Sequence, residues 1–406
     1  MKVPFFRPTI EEPEIAGVVE CLRSGWLTTG ATTRAFEAEF ARYVGARHAV
    51  AVNSCTAALH LALEAVGVKR GDLVLVPTLT FAATAEVVRY FDAIPVFVDC
   101  DPHTKCIDVA SAARTLDRLH AGEPVAGLAP PYGPVRAIVP MHFAGQMADI
   151  DGIRALARRH HLAMVEDAAH TLPAFTRSDA SSPWRAVGTT GDITCFSFYA
   201  NKCITTGEGG MAVTDDEALA DRMRVMSMHG MSRDAWKRYT SAGSWYYEIT
   251  EPGFKYNLTD IASAIGRAQL ARADAMWQAR RRVAASYHEA LAGIPGLELP
   301  TEQPDRQHSW HLFSVHLDLE VWRQGRGAFI EQLKERGVAS SVHWQPLHMQ
   351  PYYRQTYGLR AEEFPVAHGL WPRIVTLPLF PSMTRDEVEF VAEAIRSIHA
   401  DHASRA

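Results

Sequence analysis

Nowhere does the 406-residue chain hold an apolar run approaching the roughly 18 residues that span a bilayer. Its opening, "MKVPFFRPTIEEPEIAG", also lacks the apolar core of a secretory signal. Cysteine is scarce. Cys21, Cys55, Cys100, Cys106, Cys195 and Cys203 are scattered, with no CxxC pair. That excludes the disulfide framework of a small secreted domain and predicts reduced thiols and a cytoplasmic location. A basic excess is missing too. There are 41 Lys and Arg against 46 Asp and Glu, for a net charge of −5, so no nucleic-acid surface and no membrane surface is expected. Histidine is plentiful at 18. Yet His160–His161, His308/His311 and His343/His348 have no carboxylates or thiols at metal-ligand spacing, and no metal is expected. Internal repeats and low-complexity segments are absent.

What is present is ordinary globular composition, 47% hydrophobic and 21% charged, in a chain long enough for a large core. From about Val44 to Thr214, apolar strand-like runs alternate with helical spacing. "HAVAVNS" (48–54), "DLVLVP" (72–77), "IPVFVD" (94–99), "AIVPMHF" (137–143), "LAMVED" (162–167), "ITCFSF" (193–198) and "GMAVT" (210–214) read as strands. "TAALHLALEAVGV" (56–68), "TFAATAEVVRYF" (80–91) and "DIDGIRALARRHH" (149–161) read as helices. This alternation predicts an α/β fold with a mostly parallel seven-stranded sheet covered on both faces. After "GFKYNLTD" the pattern changes to one long helix over 259–292, capped by Thr259 or Asp260. A strand (311–319), a helix (328–338), a loop (340–353) and a closing helix (384–400) follow. The expected division is a large domain over 1–258 and a small α+β domain over 259–406 that begins with the linking helix.

In open α/β sheets ligands gather at the carboxyl ends of the strands. Four such ends carry chemistry here: "NSCTAA", "PTLTFAA", "DAAH" and "SFYANK". Lys202 follows its strand closely. If partly desolvated it loses proton affinity and becomes a nucleophile toward a carbonyl; the alternative is a solvated loop lysine. Asp167 ends an apolar strand, where a protonated pyridine nitrogen would be a suitable partner; it could instead be a helix cap. Cys55 and Thr56 open a helix whose free amides suit a phosphate, with Ser197 within reach from a neighbouring strand; a plain N-cap is the other reading. Phe81 offers a ring face or core packing, and His170 a ring contact or a structural hydrogen bond. Together these supply a phosphate cradle, a ring platform, a pyridinium partner and a Schiff-base lysine, the set that pyridoxal 5′-phosphate requires.

At these residues the sequence resembles the DegT/DnrJ/EryC1/StrS family of sugar aminotransferases, of the aspartate-aminotransferase-like PLP fold type I. The resemblance spans nearly the whole chain, from "FFRPTIEEPEIAGVVECLRSGWLTTG" through "VEDAAH" and "GDITCFSFYANKCITTGEGGMAVT" to "SVHWQPLHMQPYYR". "GFKYNLTDIASAIGRAQL", "HSWHLFSVHLD" and the last segment are similar to UDP-4-amino-4-deoxy-L-arabinose–oxoglutarate aminotransferases. "SFYANKCITTGEGG" is also similar to perosamine synthases. The resemblance implies that Lys202 carries the cofactor and acts as the catalytic base. Asp167 would hold the pyridine nitrogen, His170 and Phe81 would meet the ring, and Ser197, Cys55 and Thr56 would bind the phosphate. Asn257 would reach the phosphate of a second subunit, which implies a homodimer with shared sites. The implied substrates are L-glutamate and a nucleotide-linked keto sugar, most simply a 4-keto sugar. His343, His348 and Thr29 are candidate contacts to that sugar.

Two departures stand out. Cys55 replaces the usual Gly or Ala of the phosphate turn, and "TLPAF" follows His170 where a glycine-containing continuation is usual; both bear on substrate fit. Rival readings are a 3-keto sugar or cyclitol acceptor and a PLP-dependent sugar dehydratase. The dehydratase relatives carry histidine in place of the lysine. A non-enzymatic regulator would need an added DNA-binding segment and a basic face.

Overall fold

The computed structural model describes residues 1–231 and 247–403. Seven strands form the main sheet: β1 (His48–Val52), β2 (Leu73–Pro77), β3 (Ile94–Val98), β4 (Val135–Ile138), β5 (Ala163–Asp167), β6 (Ile193–Ser197) and β7 (Gly210–Thr214). Their order is β1-β7-β6-β5-β4-β2-β3. All neighbours run parallel except β7, which is antiparallel to both β1 and β6. The expected α/β class and seven-stranded, mainly parallel sheet are therefore found.

Strand alternation divides the core by face. Ala49 and Ala51 of β1 and Leu73 and Leu75 of β2 join one apolar cluster. Val50, Val52, Val74 and Val76 point into the other, beneath the helix Cys55–Ala65. The first cluster takes Phe36 and Phe40 from the helix Ala31–Val44. A third cluster gathers C-terminal residues around Phe313, Trp322 and Ile395, and Val3 joins it through a bridge to Val338. There a short antiparallel sheet pairs Phe313–Leu317 with Leu297–Glu298 and Ile374–Leu377.

Local differences from the sequence expectations have physical causes. The long helix is two, Asp260–Ala271 and Ala273–Leu291, broken at Arg272 (φ −111°, ψ 5°). There the guanidinium is pinned by Glu14 of the helix Glu12–Ser24 and, at 2.6 Å, by Glu11, the residue that precedes that helix. Thr259 caps the first of the pair through Ala262 N. Asp260 instead caps a different helix, accepting from Gly30 N (2.7 Å) and Thr33 N (2.9 Å). β4 ends at Ile138; Pro140 has no N–H for the ladder, and beyond it the rest of "AIVPMHF" keeps only a bridge from Met141 to Asp167 at the end of β5. Within the expected loop 340–353, a helix Pro351–Tyr357 begins with proline in its first turn. Among the described residues no helix is long and apolar enough to cross a membrane.

Candidate active site

The carboxyl ends of β1, β2, β5 and β6 border one cavity of about 400 Å³. Eight of the sequence-predicted residues line it: Cys55, Thr56, Phe81, Asp167, His170, Ser197, Lys202 and His343.

At one end of the cavity lies the amino terminus of Cys55–Ala65. Ser54 caps it, its hydroxyl accepting from Ala57 N at 3.0 Å. The N–H groups of Cys55 and Thr56 belong to the first turn, which has no intrahelical acceptors. Glycine makes room for this turn. A Cβ on Gly210 would lie 2.5 Å from the Ser54 backbone and 2.6 Å from Cys55 N, so only glycine lets β7 back onto the cradle. The Cys55 thiol is buried, and burial together with the nearby Asp167 carboxylate pushes it well above the usual thiol range. It is therefore a packed, protonated side chain rather than a nucleophile. All six cysteines are free and buried.

Asp167 ends β5 at the cavity floor and is buried. Its Oδ2 accepts from Thr84 Oγ1 at 2.7 Å and its Oδ1 from Ala169 N at 3.1 Å. Burial raises its proton affinity more than these bonds and Lys202 lower it. A buried carboxylate left in that condition is one that a cationic ring N–H would stabilise. Lys202 is half-buried in the turn after β6, its N–H bonded to Tyr199 O at 2.9 Å. Burial lowers its proton affinity, and Asp167 only partly restores it. The donor set thus fits pyridoxal phosphate: free amides and hydroxyls for the phosphate, a buried carboxylate for the ring nitrogen, and an amine that sheds its proton more readily than a solvated lysine.

His170 is buried, and its Nδ1 accepts from Ala144 N at 3.2 Å, which places the ring proton on Nε2. Burial keeps it neutral, far below the usual imidazole range. Its ring lies 5.0 Å from Trp344 and 4.4 Å from His311. Phe81 is exposed at the cavity mouth, 6.2 Å from Trp344. His343 bonds Thr376 Oγ1 at 2.9 Å, and burial lowers its imidazole to about 4.

Three predicted residues do not line this cavity. His348 is buried elsewhere, its Nδ1 2.7 Å from Thr78 Oγ1 and its ring stacked on Phe364. Asn257 and Thr29 lie together, Asn257 Nδ2 donating to Thr29 Oγ1 at 2.7 Å. Thr84, Trp344, Tyr199, Asn201, Glu208 and His311 border the cavity or brace it without having been singled out as site residues. Trp344 and His311 fall inside segments that carried the family resemblance, which was the available signal. Among the described residues, no three His, Cys, Asp or Glu side chains converge as a metal site.

Comparison with known proteins agrees in extent and kind. The model of the DegT/DnrJ/EryC1/StrS aminotransferase family matches residues 8–396. The spore coat polysaccharide biosynthesis protein SpsC of Bacillus subtilis (strain 168) is 45% identical, over 98% of this chain and 97% of its own. The uncharacterized protein MJ1066 of Methanocaldococcus jannaschii is 42% identical over 98% of each chain. Among solved structures, Spr1654 from Streptococcus pneumoniae, described as a sugar aminotransferase, superposes in its PLP form with a TM-score of 0.86. It is 28% identical, and the match covers 99% of this chain and 100% of that one. Its PMP form gives 0.87 at the same identity.

Proposed function

Because the chain belongs to the DegT/DnrJ/EryC1/StrS aminotransferase family, we propose that it moves the amino group of L-glutamate to a nucleotide-linked 4-keto sugar by a ping-pong mechanism. Membership makes it a PLP-dependent sugar aminotransferase. The donor, the nucleotide and the position of the ketone are our finer reading. The observation that carries the transamination itself is the meeting of Lys202 and Asp167 in one cavity beside the amide-rich end of Cys55–Ala65; the donor, the nucleotide and the ketone position rest on the family resemblance. A relative named for polysaccharide biosynthesis supports a sugar acceptor.

When bound, pyridoxal phosphate supplies a carbonyl that takes up an amino group and a ring that accepts the electron pair freed at the adjacent carbon. The chain's own groups do the rest. The first-turn amides of Cys55 and Thr56, with the Ser197 hydroxyl, would hold the phosphate dianion, favoured by the positive end of the helix dipole. Asp167 would keep a proton on the ring nitrogen by charge; Thr84 and Ala169 orient its carboxylate and favour the ionised form against burial. Lys202 Nζ would hold the cofactor and, as a free amine, would take the proton from the donor Cα; its lowered proton affinity leaves more of the amine free to do so. His170 stays neutral and offers its Nε2–H to a ring oxygen. In the sugar half-reaction His343, at the cavity wall, donates to the acceptor. Asn257 and Thr29, paired outside this chain's cavity, serve the site of a second subunit in a homodimer.

The test is direct. The protein is reconstituted with pyridoxal phosphate and L-glutamate, given a panel of nucleotide-linked keto sugars, and the products are weighed by mass spectrometry. A 4-amino sugar nucleotide formed with release of 2-oxoglutarate is expected. Amination of a 3-keto sugar or a cyclitol alone would overturn the 4-keto assignment.

A further inference from the structure

A second, smaller cavity of about 130 Å³ lies on the far side of the Phe143–Gly145 turn from the cofactor site. Its walls come from distant parts of the chain: the turn 101–106, the turn 143–146, and C-terminal residues that include Glu298, Ser314 and His316. Lys105 is its central feature. Only 5% of this lysine is exposed. Its backbone takes the left-handed conformation (φ +63°), which a lysine adopts at a cost. Asp101 enforces it, its side chain accepting from His103 N and Thr104 N and its carbonyl from Lys105 N. The turn is thus built to send an ammonium group inward.

That group has more donors than the protein satisfies. Lys105 Nζ donates to Pro102 O, and Glu298 approaches only to 3.6 Å while also pairing with Arg373 at 3.4 Å. His316 is 3% exposed, and its Nε2 finds no partner among the described residues. Glu298 and Asp101 offset the charges of Lys105 and Arg373, so what the cavity leaves open is hydrogen-bonding capacity at Lys105 Nζ and His316 Nε2. Thr104 and Ser314 border the same space, their hydroxyls bonded to Asp101 and Thr376. The volume equals that of about four waters, enough for a tetrahedral oxyanion or a short carboxylate.

We propose that this cavity is a binding site for a small oxyanion, a carboxylate or a free phosphate, held between Lys105 and His316. An anion there accepts from the remaining ammonium N–H and from His316 Nε2 in its protonated tautomer. It also joins the turn 101–106 of the large sheet to the C-terminal strand Phe313–Leu317. The turn 143–145 carries the effect to the chemistry, since Ala144 N–H donates to His170. The site is separate from the phosphate cradle, so it is open when cofactor is bound.

The experiment uses the PLP-loaded protein after borohydride reduction, so that the cradle is filled permanently. Calorimetric titrations at constant ionic strength use sodium phosphate, sodium acetate and sodium chloride as probes. Saturable binding of one phosphate or one acetate per chain is expected, with chloride far weaker. Phosphate alone assigns the oxyanion source to free phosphate, and acetate alone assigns it to a carboxylate; either supports the site. Lys105→Met should weaken binding roughly 10- to 150-fold, the loss of one charge-assisted bond. His343→Ala, a substitution at the cofactor cavity, should leave it unchanged. As a readout that needs no variant, crystals grown with selenate should show an anomalous peak between Lys105 and His316. Unchanged affinity in Lys105→Met, absence of saturable binding by every probe, or a selenate peak only elsewhere would overturn the proposal.

Discussion

Asp167 accepts one hydrogen bond on each carboxylate oxygen, from Thr84 and from Ala169, and lies buried beneath the cavity. An amide in its place keeps the shape but holds no ring proton by charge. Asp167→Asn is expected to fold normally and to lose roughly 10²–10³-fold or more in kcat; near wild-type turnover would remove Asp167 from the mechanism. Thr84→Val takes away a bond that lowers the Asp167 proton affinity, so the carboxyl should rise further. Activity should then begin to fall at a higher pH on the acid limb of the rate profile. At the cavity wall, His343→Ala should raise KM for the sugar and lower kcat/KM roughly 10- to 150-fold while sparing the glutamate half-reaction. His348→Ala acts through lost packing and the lost Thr78 bond, and should lower the melting temperature instead. Lys202, Asp167 and the Cys55–Thr56 turn were legible because each follows a strand within a few residues, and chain direction fixes which edge a strand end meets. Thr84, Trp344 and His311 were not, because their contacts join distant segments, as Trp344 does with Phe81 and His170, that no local pattern relates.

The helix Cys55–Ala65 and β7 depend on one another through Gly210. Gly210→Ala places a methyl group against backbone atoms that have nowhere to retreat. It is expected to cost about 1–3 kcal/mol of stability and, by displacing the cradle amides, to weaken cofactor binding roughly 10- to 150-fold. Denaturant midpoints and cofactor titration measure the two effects. Unchanged affinity would show that the cradle does not rest on this close approach. Sequence spacing located the seven main strands to within a few residues, because buried strands read as short apolar runs bounded by turn formers. It missed the break at Arg272, since nearly all residues over 259–292 are helix formers and Arg272 is held by Glu11 and Glu14 of another element. It also read 340–353 as loop from its prolines, although Pro351 is the kind of residue that starts a helix.

At the scale of the molecule, burial holds His60, His343 and His348 at about 4 and His308 and His316 at about 3. Unfolded histidines titrate near 6.5. Between those values the unfolded chain binds protons that the folded chain refuses. Stability from these groups is therefore fully present above about pH 6.5 and is lost as pH falls toward 4, each buried histidine removing up to about 1.4 kcal/mol per pH unit. Urea midpoints should drop steeply from pH 7 to 5, and a flat profile would contradict neutral burial. The pairing of Asn257 with Thr29, away from the chain's own cavity, motivates a test of shared sites. Mixed dimers of Lys202→Ala and Asn257→Asp chains should regain part of the activity that each lacks alone, and verified exchange without recovery would place Asn257 outside the partner's site. The claim on which the account turns is that Lys202 carries the cofactor. The PLP-loaded protein is reduced with borohydride, digested, and the modified peptide identified by mass spectrometry. The adduct is predicted on Lys202 within "FSFYANK"; an adduct on another lysine, or none on a protein that retains bound cofactor, would contradict it.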